Sequence, residues 1–514
     1  MSKTIIIIGA GLAGLSAALQ AAENGCNVKL VSSLPSERAQ SVMAEGGINA
    51  ALNTKDENDS PEEHFTDTIK AACGLADPNA VWGMTQAAPE LVHWLLKLGV
   101  KFNMSGYDDV DLRNFGGQKK KRTAFAQSDT GKQIMTAMID AVRRKEASGM
   151  VERFSHHSFL TLRLCGNICC GCVIRDEYSQ ETVELPGDAV IVASGGMHGL
   201  FGNTTGSLSN TGEVTAELFR LGVPLANGEM IQYHPTTVKC GGKRMLISEA
   251  ARGEGGRLFA MKDGKQWYFM EEKYPELGNL MPRDITAREI WKVSRESEVF
   301  LDMTEISEEI ISNKLSGLAD DCMTYLHKDI RKEPVSVLPG IHYFMGGILV
   351  DEQHRTPIQN LYAAGECCAQ YHGANRLGGN SLLGALYGGR VAAKSACEQA
   401  DVVDLSCATQ IDFPPASQIS EIKQLNKVMQ ETMGVVRNEN TLLNGIQTVQ
   451  ALTGNLPLLG MAVLKSALAR KESRGAHWRE DYPKSNDDDY LKTTVARFDG
   501  KQIQISFVPV PERR

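Results

Sequence analysis

"KTIIIIGAGLAGLSAALQAAENGCNVKLVSS", residues 3–33, reads as a strand, a glycine turn, a helix and a second strand. Ile5–Ile8 is an unbroken apolar run, the pattern of a parallel strand buried on both faces. Gly9, Gly11 and Gly14 make G-x-G-x-x-G. The first glycine allows the tight turn, the second lets a pyrophosphate reach the backbone, and the third lets the helix pack on the strand. The helix N-terminus then faces the phosphates. Alone the motif says little, but here a strand precedes it, a helix follows it and a second strand runs over Asn27–Val31. That context predicts a dinucleotide-binding α/β domain. Ser32 stands where an acidic residue usually ends the second strand, which weakens a simple nicotinamide-dehydrogenase reading.

Two later apolar runs end in the same way. "DAVIVASGG" (188–196) and "NLYAAGECC" (360–368) finish in small residues and glycine. Such ends suit a backbone pressed against a flat cofactor. Three of them, far apart in sequence, suggest one long ligand across the sheet, and FAD has that shape. Glu366 could accept hydrogen bonds from ribityl hydroxyls or cap a helix.

The chain has 514 residues, enough for two to four domains, and a formal charge of −8. With no basic domain, nucleic-acid binding has little support. No apolar run is long enough to span a bilayer and no signal-peptide pattern opens the sequence, so a cytoplasmic protein is expected. The twelve cysteines include the run Cys165, Cys169, Cys170 and Cys172. Its spacing does not match the usual CxxC pairs of zinc or iron–sulfur sites, so strands of a small meander with structural cysteines are expected, and no metal.

A second group of motifs concentrates cations and imidazoles: His234 in "MIQYHPTT", Ser248, Glu249 and Arg252 in "LISEAARGEGG", Arg283 in "MPRDITAR", His342 in "GIHYFMGG", and Arg376 in "HGANRLGGNSLLG". Arginine captures carboxylates in planar, bidentate fashion, and histidine can donate to a second one. Glu249 and Arg252 are three apart, so on a helix they share a face. Singly, His234 could be a core histidine and Glu249–Arg252 a plain ion pair.

In order, "GAGLAG", "AEGG", "FGGQKKKRT", "QYHPT", "SEAARGEGG", "PRD", "HYFMGG", "GECC", "HGANRLGGNSL" and "ARKESRGAHWREDYP" closely resemble the fumarate reductase/succinate dehydrogenase flavoprotein family, with L-aspartate oxidase a near relative. The resemblance implies an α/β fold: a discontinuous Rossmann-like FAD-binding domain (1–230 and 338–404), an inserted α+β capping domain (231–337) that closes over substrate, a C-terminal helical domain (405–480) and a tail (481–514). "CATQIDFPPAS" (407–417) reads as a linker.

The resemblance also implies site roles. FAD would be held by Gly9, Ala10, Gly11, Ala13, Gly14, Ser32, Gln40, Ser41, Glu45, Gly46, Gly47, His157, Ala193, Gly195, Glu213, His342, Tyr343, Glu366, Arg376, Ser381 and Leu382. A dicarboxylate would meet Gly47, Phe115, His234, Ser248, His342 and Arg376. Arg283 would deliver a proton, resupplied through Glu249 and Arg252. Membrane-bound members carry a histidine that bonds covalently to the flavin; Gln40 stands in its place, ahead of Ser41, so a non-covalent FAD is expected. Glu213 stands where aspartate is usual, Gly384 where an acid is usual, and Ser248 where threonine is usual.

Aspartate oxidases resemble "EGG" where this chain has Phe115 in "FGG", so a substrate without an amino group is expected. Fumarate reduction is favoured over succinate oxidation, L-aspartate oxidation and a non-catalytic flavin-binding subunit. An iron–sulfur subunit or another reduced donor would supply electrons and could hold the chain at the inner face of the membrane. The "KKKR" run, Lys119–Arg122, is expected to be a solvated loop.

Overall fold

A computed structural model describes residues 2–106, 109–401, 411, 413 and 418–514. Thr4–Ile8 lies at the centre of a five-stranded parallel sheet. Ala189–Val192 and then Leu361–Ala363 flank it on one side, Asn27–Ser32 and then Val151–Ser155 on the other. Ile5, Ile6 and Ile7 are fully buried, as an unbroken apolar run requires. Helices Leu12–Glu23 and Asn380–Gln399 pack on one face of this sheet. The strands stop at Gly9, Ala193 and Ala364, three small residues side by side at the carboxyl edge. Chain order reverses there, and a crevice at such a point is where α/β sheets bind ligands.

The meander is present as His157–Cys165, Ile168–Asp176 and Thr182–Pro186, with Cys169, Cys170 and Cys172 buried as free thiols. Among the described residues no group of histidine, cysteine and acidic side chains could hold a metal ion. No described helix is long and apolar enough to cross a membrane.

Strand Ile231–Cys240 pairs with both Lys243–Leu246 and Leu338–Phe344. The expected boundaries at 231 and 338 therefore run through one sheet. A second sheet, Lys265–Trp267, Arg257–Lys262, Val299–Asp302 and Val335–Ser336, carries its own buried core with helix Arg283–Val293 beside it. Helices Ile419–Thr432, Glu439–Val449 and Asn455–Ala469 follow. The tail strands Lys492–Phe498 and Ile503–Pro509 join a sheet with Leu225–Ala226, Gly347–Leu349 and Cys368–Ala369. Most of the expected linker, and the boundary at 404/405, lie outside the described residues.

In the "KKKR" run, Lys119 and Lys121 are exposed in a loop, as expected, Lys120 is half-buried, and Arg122 departs from the expectation. Arg122 is fully buried and paired with Asp59 at 2.8 Å and Asp67 at 3.0 Å. Lys120 pairs with Glu63, and Lys121 Nζ lies 3.9 Å from Glu57. The acids of the preceding segment neutralise the run because Gln118 and Thr123, on either side of it, are pinned to Asn49 inside the protein.

Candidate functional site

The crevice opens into a cavity of ≈ 550 Å³ that runs from the carboxyl edge of the central sheet to the Ile231–Cys240 hairpin. Of the residues expected at the site, only Gly14 and Arg252 do not line it. Gly14 lies behind the turn, where a Cβ would sit 1.8 Å from the Gly9 carbonyl oxygen. It packs the helix on the strand and stands outside the cavity wall. Arg252 is buried behind Glu249, with Nη2 3.5 Å from Glu249 Oε1 and Nη1 donating to the Asn279 carbonyl at 2.6 Å.

At the nucleotide end, Gly9 adopts φ +111°, a conformation that favours glycine. The Leu12 N–H opens the helix and donates to Ser41 Oγ at 3.2 Å. Ser32 Oγ is buried and has no hydrogen-bond partner among the described residues. An orphaned buried hydroxyl at the end of the second strand and a helix N-terminus facing the cavity fit a dinucleotide, with a ribose to meet the first and a pyrophosphate the second. Glu213 begins helix Glu213–Arg220 and lines the same wall, its carboxyl pushed up by burial. Gln40 Oε1 accepts from the Ser207 N–H at 2.6 Å, and His157 Nδ1 lies 2.8 Å from the Ser155 carbonyl.

Gly46 and Gly47 line the cavity, and the protein itself also packs against them. A Cβ on Gly46 would lie 2.8 Å from the Phe115 ring, and one on Gly47, at φ +140°, would lie 2.5 Å from the Ala124 carbonyl. The chain itself fills the space that the missing side chains leave. Glu45, just before them, is pushed up to about 8 by burial and then by Asp321 and Asp129.

The cations and imidazoles converge. Arg283, the first residue of helix Arg283–Val293, donates from Nε and Nη2 to Glu249 Oε2 at 2.8 and 2.6 Å. Glu249 Oε1 accepts from the Gly116 N–H at 3.0 Å. Burial opposes ionisation of Glu249, but Arg283 and Arg252 more than offset it and hold the carboxyl below its ordinary range. Ser248 caps this short helix through the Ala250 N–H. His234 and His342 face each other with ring centroids 5.1 Å apart. Burial, then the Arg283 charge, keeps both well below the usual histidine range, so both are neutral.

Arg376 stacks over Tyr343 at 4.4 Å and has no ion pair among the described residues. Burial and the neighbouring Arg283 pull it down to about 9. Glu366 Oε1 accepts from the Phe344 N–H at 3.1 Å.

Three lining or bridging residues were not singled out from the sequence. Gln232 accepts from Arg283 Nη1 at 3.1 Å and donates to the Arg376 carbonyl at 2.8 Å and Asn375 Oδ1 at 2.9 Å. Thr205 and Arg244 also line the cavity. Gln232 could have been noticed two positions before His234, on the same face of a strand. Nothing local marks the other two. Arg288 and Glu254, which share motifs with the cluster, turn elsewhere: Arg288 stacks on Trp478 at 4.0 Å and Glu254 pairs with Lys314 at 3.1 Å.

Comparison with known proteins agrees with this geometry. Residues 4–382 match the FAD binding domain family model, and residues 452–513 match the fumarate reductase flavoprotein C-terminal model. The succinate dehydrogenase flavoprotein subunit of Bacillus subtilis is 38% identical, over 100% of this chain and 98% of its own. The 8-methylmenaquinol:fumarate reductase flavoprotein subunit of Wolinella succinogenes is 32% identical, over 100% and 92%. L-Aspartate oxidase of Pyrococcus furiosus is 33% identical, over 94% and 97%. A solved structure of E. coli quinol fumarate reductase FrdA superposes with a TM-score of 0.90 at 27% identity, over 99% and 97%. The chain therefore belongs to the succinate dehydrogenase/fumarate reductase flavoprotein family, and it is an FAD-dependent oxidoreductase.

Proposed function

We propose that this chain reduces fumarate to succinate at an FAD held without a covalent bond. The observation that carries the reading is Arg376: a buried guanidinium with no ion pair among the described residues, beside Arg283 and two neutral histidines. Among the described residues Glu249 is the carboxylate that ion-pairs in this buried cluster, and Arg283 and Arg252 already engage it. A buried charge is costly unless it is paired, and a dianion completes the pairing. Phe115, apolar and buried, offers nothing to a substrate ammonium.

FAD, when bound and reduced by the electron donor, would supply the hydride for the alkene. The protein does the rest. Arg376 clamps one carboxylate in bidentate fashion, and His234, His342 and Ser248 hold the other. Polarising that carboxylate makes the alkene carbon electrophilic. Arg283 delivers the proton to the second carbon. A proton passed from Arg252 through the Glu249 carboxylate restores it, so an arginine can serve as the acid although it does not release a proton to water readily. The sheet Arg257–Lys262 and Val299–Asp302, with helix Arg283–Val293 beside it, caps this cluster and excludes water. Gln40 has no imidazole nitrogen to bond to the flavin, and its amide oxygen is already engaged by Ser207. Electrons arrive from an iron–sulfur subunit or another reduced donor.

Succinate oxidation is the second reading, favoured by the 38% identity to a succinate dehydrogenase subunit. The deciding experiment uses the FAD-loaded protein. With reduced viologen as donor, fumarate is consumed faster than succinate is oxidised with an acceptor dye, and L-aspartate yields no peroxide in air. Faster succinate oxidation selects the second reading, and aspartate turnover removes both. Acid precipitation of the same sample leaves all flavin in the supernatant; colour in the pellet overturns the non-covalent assignment.

A further inference from the structure

Thr205 lies on the loop between the turn His198–Leu200 and helix Glu213–Arg220, and it lines the cavity. Its N–H donates to the Ile341 carbonyl at 2.9 Å, which pins it beside strand Leu338–Phe344. Its hydroxyl lies 2.8 Å from Nδ1 of His342, the next residue of that strand. We infer that Thr205 is a positioning residue: its hydroxyl donates to His342 Nδ1 and thereby fixes the Nε2–H tautomer that faces the substrate carboxylate. The inference rests on the dicarboxylate reading above.

A neutral imidazole has one N–H and one lone pair. Where the neighbour is a hydroxyl, either arrangement satisfies Nδ1, because a hydroxyl both donates and accepts. The ligand breaks the tie. If Nδ1 carried the proton, Nε2 would present a lone pair to an anion in a water-excluded site, which is repulsive. If Thr205 donates, Nε2–H donates to the carboxylate and every polar atom is satisfied. The surroundings leave no simpler route. Arg283 and Arg376 disfavour a doubly protonated ring, and so does His198. The facing ring, His234, is held by its own local contacts: the Thr236 N–H lies 3.3 Å from its Nδ1. Thr205 is the group that can choose the tautomer of His342, much as an outer partner fixes the tautomer of a histidine that ligates a metal.

The test uses FAD-loaded protein and two variants. Thr205→Val keeps the shape and removes the hydroxyl, while Thr205→Ser keeps the hydroxyl. The dissociation constant of the non-reacting dicarboxylate malonate, read from the flavin absorbance change, rises about 10-fold in Thr205→Val, the cost of one hydrogen bond beside a charge. It stays within about threefold of the parent in Thr205→Ser. With fumarate, KM rises more than kcat falls. A 15N spectrum of histidine-labelled parent protein, with the His342 signals assigned from their loss in His342→Gln, shows Nδ1 bare and Nε2 protonated when malonate is bound. This measurement needs no Thr205 variant to fold. A protonated Nδ1, or Thr205→Val binding malonate as the parent does, overturns the inference while the dicarboxylate reading stands. A parent that binds neither malonate nor fumarate overturns both.

Discussion

Arg283 and Arg376 are both buried arginines in one cluster, yet their partners differ, and the difference predicts different losses. Arg283 donates twice to Glu249 Oε2, whereas Arg376 has no ion pair among the described residues. Arg283→Ala leaves Glu249 with Arg252 as its remaining cation. Removing one partner of a buried pair costs about 3–5 kcal/mol, and Arg252 limits the loss to the low end of that range. Turnover of fumarate falls about 10²–10⁴-fold, the usual worth of an acid, while malonate affinity changes less than tenfold. Arg376→Ala breaks no protein ion pair, so its melting temperature stays at or above the parent's. Its KM rises along with the loss in kcat, because clamping and orientation go together. Steady-state kinetics with flavin content matched, and thermal melts of both proteins, check the contrast. Equal effects of the two substitutions would remove the division of roles.

At the scale of elements, the site depends on how closely helix Leu12–Glu23 approaches the strand before it. Gly14 is the contact point: a Cβ there would lie 1.8 Å from the Gly9 oxygen and 2.9 Å from its carbonyl carbon, both backbone atoms that cannot rotate away. Gly14→Ala must push the helix off the turn. Its N-terminal end, where Leu12 N–H meets Ser41 Oγ, moves with it. We expect the purified variant to hold less than a tenth of the parent's FAD and to melt lower. The ratio of flavin to protein absorbance, with and without added FAD, checks this. Gly25 is the control: its φ is +79° and a Cβ there meets nothing within 4 Å, so Gly25→Ala carries only backbone strain and retains FAD.

For the whole molecule, buried titratable groups set the response to pH. Burial depresses six histidines: His64 to about 3, His354 to about 4, and His234, His342, His372 and His477 well below the ordinary value. A depressed folded-state pKa means that the unfolded chain binds the proton first. Their contribution is present above pH 6.5 and is lost as pH falls below it, each at up to about 1.4 kcal/mol per pH unit. Glu45 acts in the opposite sense. Raised to about 8, its contribution is complete below the ordinary glutamate value and is lost as pH rises through 8. Between pH 4.5 and 6.5 the six histidines outweigh the carboxyls that burial raises, Glu45 and Glu213 among them. Stability of the FAD-loaded protein should therefore drop steeply from pH 6.5 towards 5 and ease only slightly between pH 7 and 8. Urea midpoints at pH 8, 6.5 and 5.5 test the order; a midpoint at pH 5.5 equal to that at 6.5 would contradict it.

The sequence by itself determined the local architecture. The apolar run Ile5–Ile8, the spaced glycines and the small residues ending the strands at 193 and 364 carry their reasons within a few neighbouring positions, because strand burial and tight turns are short-range demands. The site cluster was legible only through the family resemblance, since singly His234 reads as a core histidine and Glu249–Arg252 as a plain ion pair, and nothing in their spacing shows that they meet. Only the tertiary structure decided the rest, where the reason for a residue lies far along the chain. Gly46 is small because Phe115 packs on it, and Arg122 is inside because Asp59 and Asp67 neutralise it there. The tail strand Lys492–Phe498 finds its partner at Leu225–Ala226, some 270 positions away. Thr205 stands out only when strand Leu338–Phe344 lies beside it, because a hydrogen bond depends on distance in space and leaves no periodicity or spacing for a sequence to display.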